Sequence, residues 1–110
     1  EIIISIHTPG HYWDSICFYN KNSKYLFSGD TIFVGRTGRT TNKDSCIEKL
    51  YDSVYNKILT LPEDTIILPG HHYGHTRRIS IKDNIIISKF FQCNSLNEFK
   101  KTMEYFEKNN

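Results

Sequence analysis

Two short stretches limit the fold more than any other feature of this chain: "IIISI" at residues 2–6 and "TIIL" at residues 65–68. Both are short, rich in β-branched side chains and apolar with almost no alternation. That pattern reads as strands buried on both faces of a sheet. Ser15–Tyr19 and Tyr25–Ser28 read as two further strands, joined by the polar connection "NKNSK". A helix is expected to start at a capping box formed by Ser45 and Glu48. Ile47, Leu50, Tyr51, Val54 and Ile58 follow at helical spacing, and Leu61-Pro62 ends the run. Lys82–Phe91 is expected to be helical. A second capping box, Ser95 with Glu98, opens a last helix whose stripe of Leu96, Phe99, Met103 and Phe106 reads as core. These helices suffice for one face of a sheet, and nothing remains for the other. The expected fold is therefore α/β, a small mixed sheet with helices on one face, the second face being covered by something outside these residues.

Length and composition fit this picture. A chain of 110 residues holds one core and no more than one domain. With 38% apolar and 14% aromatic residues it is rich enough to fold. Its 14 basic and 12 acidic side chains leave a net charge of +2, which argues against a nucleic-acid partner. Lys100, Lys101 and Lys108 lie among glutamates and read as a solvated helix face. The longest apolar run falls far short of the roughly 20 residues that cross a bilayer, so no membrane association is expected. Cys17, Cys46 and Cys93 form no C-x-x-C pair, and reduced thiols in a cytoplasmic protein are the expectation. The chain begins at Glu1, without an initiator methionine, directly in a strand-like run. A preceding N-terminal part is therefore expected.

The candidate functional residues sit just after strands. His7 and His11 follow the first, Asp30 the third, and the cluster His71, His72 and His75 the fourth. Residues 29–44 form a long loop with three glycines, a length usually kept for function. Loops held at one sheet edge would gather these side chains. Neutral imidazoles with a carboxylate are what Zn²⁺ or Fe²⁺ accept.

Three local motifs make the chain recognisable. "HTPGHYWDSICF" (7–18), "LFSGDTIFVGRTGRT" (26–40) and "LPGHHYG" (68–74) resemble, in order and spacing, the C-terminal half of the metallo-β-lactamase superfamily. The branch is that of the glyoxalase II-like hydrolases and their persulfide dioxygenase relatives. The resemblance runs over about residues 3–80 and implies half of an αββα sandwich, a single partial domain over residues 1–110. It also implies roles. The histidine after T-P-G, His11, and the histidine after P-G, His71, are metal ligands. Asp30 of S-G-D-T bridges two metals and orients the nucleophile. The implied ions are two zinc ions per complete site, with iron or manganese as alternatives. Arg39 and Tyr73 stand where relatives grip glutathione, whereas Thr41 stands where they often carry a tyrosine. His7 is implied to support the loop by a hydrogen bond, and His72 and His75 to lie outside the ligand set. Tyr12-Trp13 replaces smaller residues after T-P-G-H, and either narrows the pocket or packs.

The superfamily's His-x-His-x-Asp-His motif is absent, so the resemblance implies that an N-terminal half or a partner chain brings further ligands and covers the sheet. The implied activity is hydrolysis of a thioester, glutathione-linked substrates included, by metal-activated water attacking the carbonyl. The isolated 110-residue chain is expected to be inactive. Two alternatives stand beside it. One is a mono-iron persulfide dioxygenase, whose members usually carry P-A-H and an acidic residue after G-R-T, where this chain has Gly70 and Thr41. The other is a non-catalytic subunit that binds a partner through its uncovered sheet.

Overall fold

In the computed structural model, which describes residues 1–109, five strands form one sheet in the order β1-β2-β3-β4-β5. They are β1 (Ile3–His7), β2 (Ile16–Asn20), β3 (Tyr25–Gly29), β4 (Ile66–Pro69) and β5 (Ile79–Ser80). Neighbours are antiparallel except β3 and β4, which run parallel. A parallel pair needs a crossover. Here it consists of the long loop, helix α1 (Ile47–Asp52) and a π-helical continuation at Ser53–Ile58. Helix α2 (Ile81–Ile87), a 3₁₀ turn at Lys89–Phe91 and helix α3 (Leu96–Asn109) complete the chain.

All the helical packing is on one face. Cys17, Tyr19, Leu26 and Ile67 alternate inward along β2, β3 and β4, and meet Leu50, Val54, Ile58, Phe99 and Met103 in one buried cluster. The intervening residues Ile16, Phe18, Tyr25 and Phe27 point the other way and stay 36–47% exposed. Phe18 and Phe27 pair directly across β2 and β3. The α/β fold with helices on one side of a mixed sheet is thus the observed architecture. The reading of "IIISI" as buried on both faces does not hold within these residues: β1 is an edge strand with Ile3 54% and Ile4 40% exposed.

Two expected elements begin or end elsewhere. Ser45 does not cap α1. Its hydroxyl donates instead to the His11 carbonyl at 2.7 Å, Cys46 takes the N-cap position without a side-chain capping bond, and Glu48 pairs with Lys100 at 2.9 Å. The helix expected over Lys82–Phe91 breaks at Ser88, whose backbone is extended. The Ser88 hydroxyl donates to the Gly35 carbonyl at 2.7 Å and accepts from the Phe90 amide at 3.2 Å. One side chain thus ends α2 and ties down the long loop. At Ser95 the expected cap forms: its hydroxyl accepts from the Glu98 amide at 3.2 Å, and the Glu98 carboxylate accepts from the Asn94 amide at 2.6 Å.

The long loop is packed rather than loose, with Ile32, Phe33 and Val34 buried. Asn84 of α2, itself buried, holds it from both sides. Its amide donates to the Phe33 carbonyl at 2.9 Å, and its carbonyl accepts from the Gly35 amide at 2.7 Å. Buried polar groups left unpaired cost about 1–3 kcal/mol each. Asn84→Ala is therefore expected to destabilise the chain by roughly 2–4 kcal/mol in urea unfolding. A change under about 0.5 kcal/mol, the size typical of surface substitutions, would show that the loop is not held this way.

Candidate metal centre

β1 is antiparallel to β2 and β2 to β3, so β1 and β3 point the same way, and β4 joins them in parallel. The loops leaving the C-terminal ends of β1, β3 and β4 therefore emerge at one edge of the sheet. Those three loops carry His11, Asp30 and His71.

The first loop is strapped to the crossover helix by its carbonyl oxygens. His7 accepts from Lys57 Nζ at 2.7 Å, Pro9 from Ser53 Oγ at 2.8 Å, Gly10 from the Cys46 amide at 2.7 Å and His11 from Ser45 Oγ at 2.7 Å. Such close approach leaves no room for a side chain at Gly10. A Cβ there would overlap the backbone of Leu50, and its φ of +146° lies where L-residues are strained. Gly38 is similarly confined. A Cβ on it would overlap the Asp30 carbonyl oxygen and stand 3.0 Å from the His11 ring, so this residue lets the two candidate ligands share one neighbourhood.

Hydrogen bonding fixes the imidazole chemistry. His11 Nδ1 lies 2.7 Å from the Arg39 carbonyl oxygen, which can only accept, so Nδ1 carries the proton. His71 Nδ1 lies 2.8 Å from Asp30 Oδ1 and donates to that carboxylate. In both rings Nε2 is left as the lone-pair nitrogen of the neutral form, which is the arrangement a metal ligand requires. Two such imidazoles and a carboxylate fit part of a zinc or iron ligand set. Among the described residues no group of three or more His, Cys, Asp or Glu side chains is arranged to hold an ion by itself.

The remaining histidines have other places. His7 Nε2 donates to the Trp13 carbonyl at 3.1 Å and so braces the loop. His72 is exposed, and His75 lines a groove of about 640 Å³ with Ile66, Arg78 and Asp83, whose lining includes neither His11 nor His71. Trp13 is 64% exposed, while the Tyr12 and His11 rings meet edge to face with centroids 5.7 Å apart.

Beside His71 lies an aromatic shelf. Tyr73 stacks on His71 at 5.4 Å and meets Phe33 edge-on at 4.8 Å. The Arg36 guanidinium lies 4.2 Å from the Tyr73 ring centre and 5.0 Å from that of Phe106, while Arg39 lies 4.8 Å from Phe106. Arg36, Arg39, Tyr73 and Phe106 line a shallow cavity of about 420 Å³. Burial pulls the Arg36 pKa below its ordinary value, and among the described residues its buried Nε has no hydrogen-bond partner. Phe106 is the lining residue of this cavity that the sequence did not reveal. Phe106 reads as core on its helical stripe, and only the end of α3 meeting the loop reveals its second role.

Gly10→Ala is expected to lower stability by about 3 kcal/mol or more, because it adds both a backbone clash and a strained dihedral. Chemical denaturation measures this, and a neutral outcome would mean that the loop is not strapped to α1 as described.

Comparison with known proteins agrees with the fold. Residues 2–71 match the family model described as the metallo-beta-lactamase superfamily. A hydroxyacylglutathione hydrolase of Enterobacter sp. (strain 638) is 48% identical over 60% of this chain and 24% of its own length. The mitochondrial persulfide dioxygenase ETHE1 of Bos taurus is 31% identical over 88% of this chain and 38% of its own. Among solved structures, ETHE1 from Myxococcus xanthus superimposes with a TM-score of 0.83 at 32% identity, covering 94% of this chain and 45% of that one. TTHA1623 in a di-iron-bound form gives 0.72 at 27% identity over 80% and 42%. The chain spans about a third of the length of the curated relatives it matches. Among the described residues, no helix is long and apolar enough to cross a membrane. The chain belongs to the metallo-beta-lactamase superfamily.

Proposed function

We propose that this chain supplies the C-terminal half of a metal-dependent hydrolase acting on anionic thioesters, with His11, Asp30 and His71 as its share of the ligands. The observation that carries the reading is the pair of imidazoles whose Nδ1 protons are engaged by Arg39 and Asp30, leaving both Nε2 atoms available. Similarity to a hydroxyacylglutathione hydrolase supports it. When bound, two zinc ions would supply hydroxide at neutral pH and polarise the substrate carbonyl; iron or manganese could take their place. The chain's own residues do the rest. Asp30 is the group that would link the two ions, and Gly38 lets its loop approach His11. Arg39, with Arg36, offers positive charge to a substrate carboxylate, where guanidinium can form paired hydrogen bonds. Tyr73 and Phe106 give the same substrate an apolar wall. A glutathione-linked thioester has suitable chemistry, since it carries carboxylates away from the reacting carbonyl.

The bare face of Ile16, Phe18, Tyr25 and Phe27 is the surface on which the remaining half, or a partner chain, would pack and bring further ligands. We place the protein in the cytoplasm on the strength of its three free thiols. A second reading is persulfide dioxygenation on a single iron, supported by similarity to ETHE1. Gly70 and Thr41 favour the hydrolase, because the dioxygenase relatives usually carry alanine and an acidic residue there.

Metal analysis and turnover of the protein isolated from its own cells separate the two. Zinc with thiol release from a glutathione thioester, falling at least about 100-fold in Asp30→Ala, is the expected outcome. One iron per site with oxygen uptake on glutathione persulfide would overturn it.

A further inference from the structure

The peptide between Arg39 and Thr40 is hydrogen-bonded at both ends. Its carbonyl oxygen, that of Arg39, accepts the His11 Nδ1 proton at 2.7 Å. Its N–H, that of Thr40, donates to a Glu107 carboxylate oxygen at 2.6 Å, and the Thr40 hydroxyl donates to the same oxygen at 3.0 Å. Glu107 lies in the last turns of α3, 67 residues from Thr40 in sequence.

Hydrogen bonds in series polarise one another. A carboxylate accepting from an amide N–H draws that bond toward its charge-separated form and makes the carbonyl oxygen a better acceptor. The oxygen in turn holds the proton on Nδ1 more firmly and enriches Nε2 in electron density. Carboxylates that act on a metal-binding histidine usually accept directly from its ring. Here an amide stands between them, and the carboxylate comes from a helix that contributes no candidate ligand.

We infer that Glu107 is a positioning residue for His11, acting through the Arg39–Thr40 peptide to fix the ring's orientation and to hold it in the Nδ1–H form with Nε2 free for a cation. This inference rests on the proposed ligand role of His11. It also explains why α3 reaches the long loop at all: Phe106 meets Arg36 and Arg39 while its neighbour holds Thr40.

The experiment is ¹⁵N NMR of the histidine rings in the full chain without metal, followed by zinc titration. In the unsubstituted protein His11 is expected to show a protonated Nδ1 and an unprotonated Nε2. Glu107→Ala should mix the two tautomers and weaken zinc binding about 10-fold. Glu107→Gln keeps an acceptor oxygen without the charge and should give an intermediate result, with the fold unchanged. It decides the matter even where the alanine variant fails to fold. An unaltered His11 tautomer in Glu107→Gln and in a folded Glu107→Ala overturns the relay. The ring signals need neither metal nor turnover. Tautomer mixing in the variants, with zinc shifts confined to histidines other than His11, would therefore count against the ligand role of His11 and leave the relay in place.

Discussion

The hydrogen-bonded strap between the first loop and the crossover helix is what the rest of the site depends on. Four carbonyls, those of His7, Pro9, Gly10 and His11, each accept a bond from Lys57, Ser53, Cys46 or Ser45. The two bulky side chains of this loop, Tyr12 and Trp13, stay 38% and 64% exposed, so their packing does not hold it. Its backbone must be satisfied from outside, and α1 with its π-helical continuation does so along one side. The strap explains the glycine at residue 10, the absence of a Ser45 cap and the fixed place of His11 beside Gly38. The cost is a helix start without a side-chain cap, a penalty of about 1 kcal/mol that the loop's bonds offset.

From that anchor the site grows by contacts between loops. His11 reaches the Arg39 peptide, the Asp30 carbonyl lies against Gly38, and Asp30 meets His71. Asn84 and Ser88 of the α2 region hold residues 33–35 from behind. The last helix completes the far side with Phe106 and Glu107. The loops after β1 and β3 are thus clamped by helices on the covered face, whereas the loop after β4 is tied to the end of β3 through Gly70–Gly29 and His71–Asp30. The helices are supports for the loops as much as cover for the core.

Much of this was legible in the sequence. The first four strands and the one-sided helix layer follow from apolar spacing, and the superfamily from the three motifs, whereas the two-residue β5 carries no pattern of its own. What escaped were bonds between residues distant in sequence. Ser45 and Glu48 have cap spacing, yet the His11 carbonyl competes successfully for the serine hydroxyl. Lys82–Phe91 has helical composition, yet Ser88 is drawn to Gly35, and the helix ends there. Asn84 reads as an ordinary helix residue until the loop it pairs with is known. The apolar run of β1 signals burial, yet as an edge strand it keeps Ile3 and Ile4 exposed. No local pattern carries such information, because propensity is weak beside a tertiary hydrogen bond.

The central claim is that one sheet edge presents His11 and His71, each through Nε2, and the Asp30 carboxylate as this chain's share of the ligands for the cations that Asp30 would link. Titration of Zn²⁺ into ¹⁵N-labelled chain, followed at the histidine ring nitrogens and backbone amides, tests it most directly. The account predicts perturbation of Nε2 in His11 and His71 and of amides flanking Asp30, with His7, His72 and His75 unmoved. Perturbation centred on His72 and His75, with His11 and His71 silent, would contradict it.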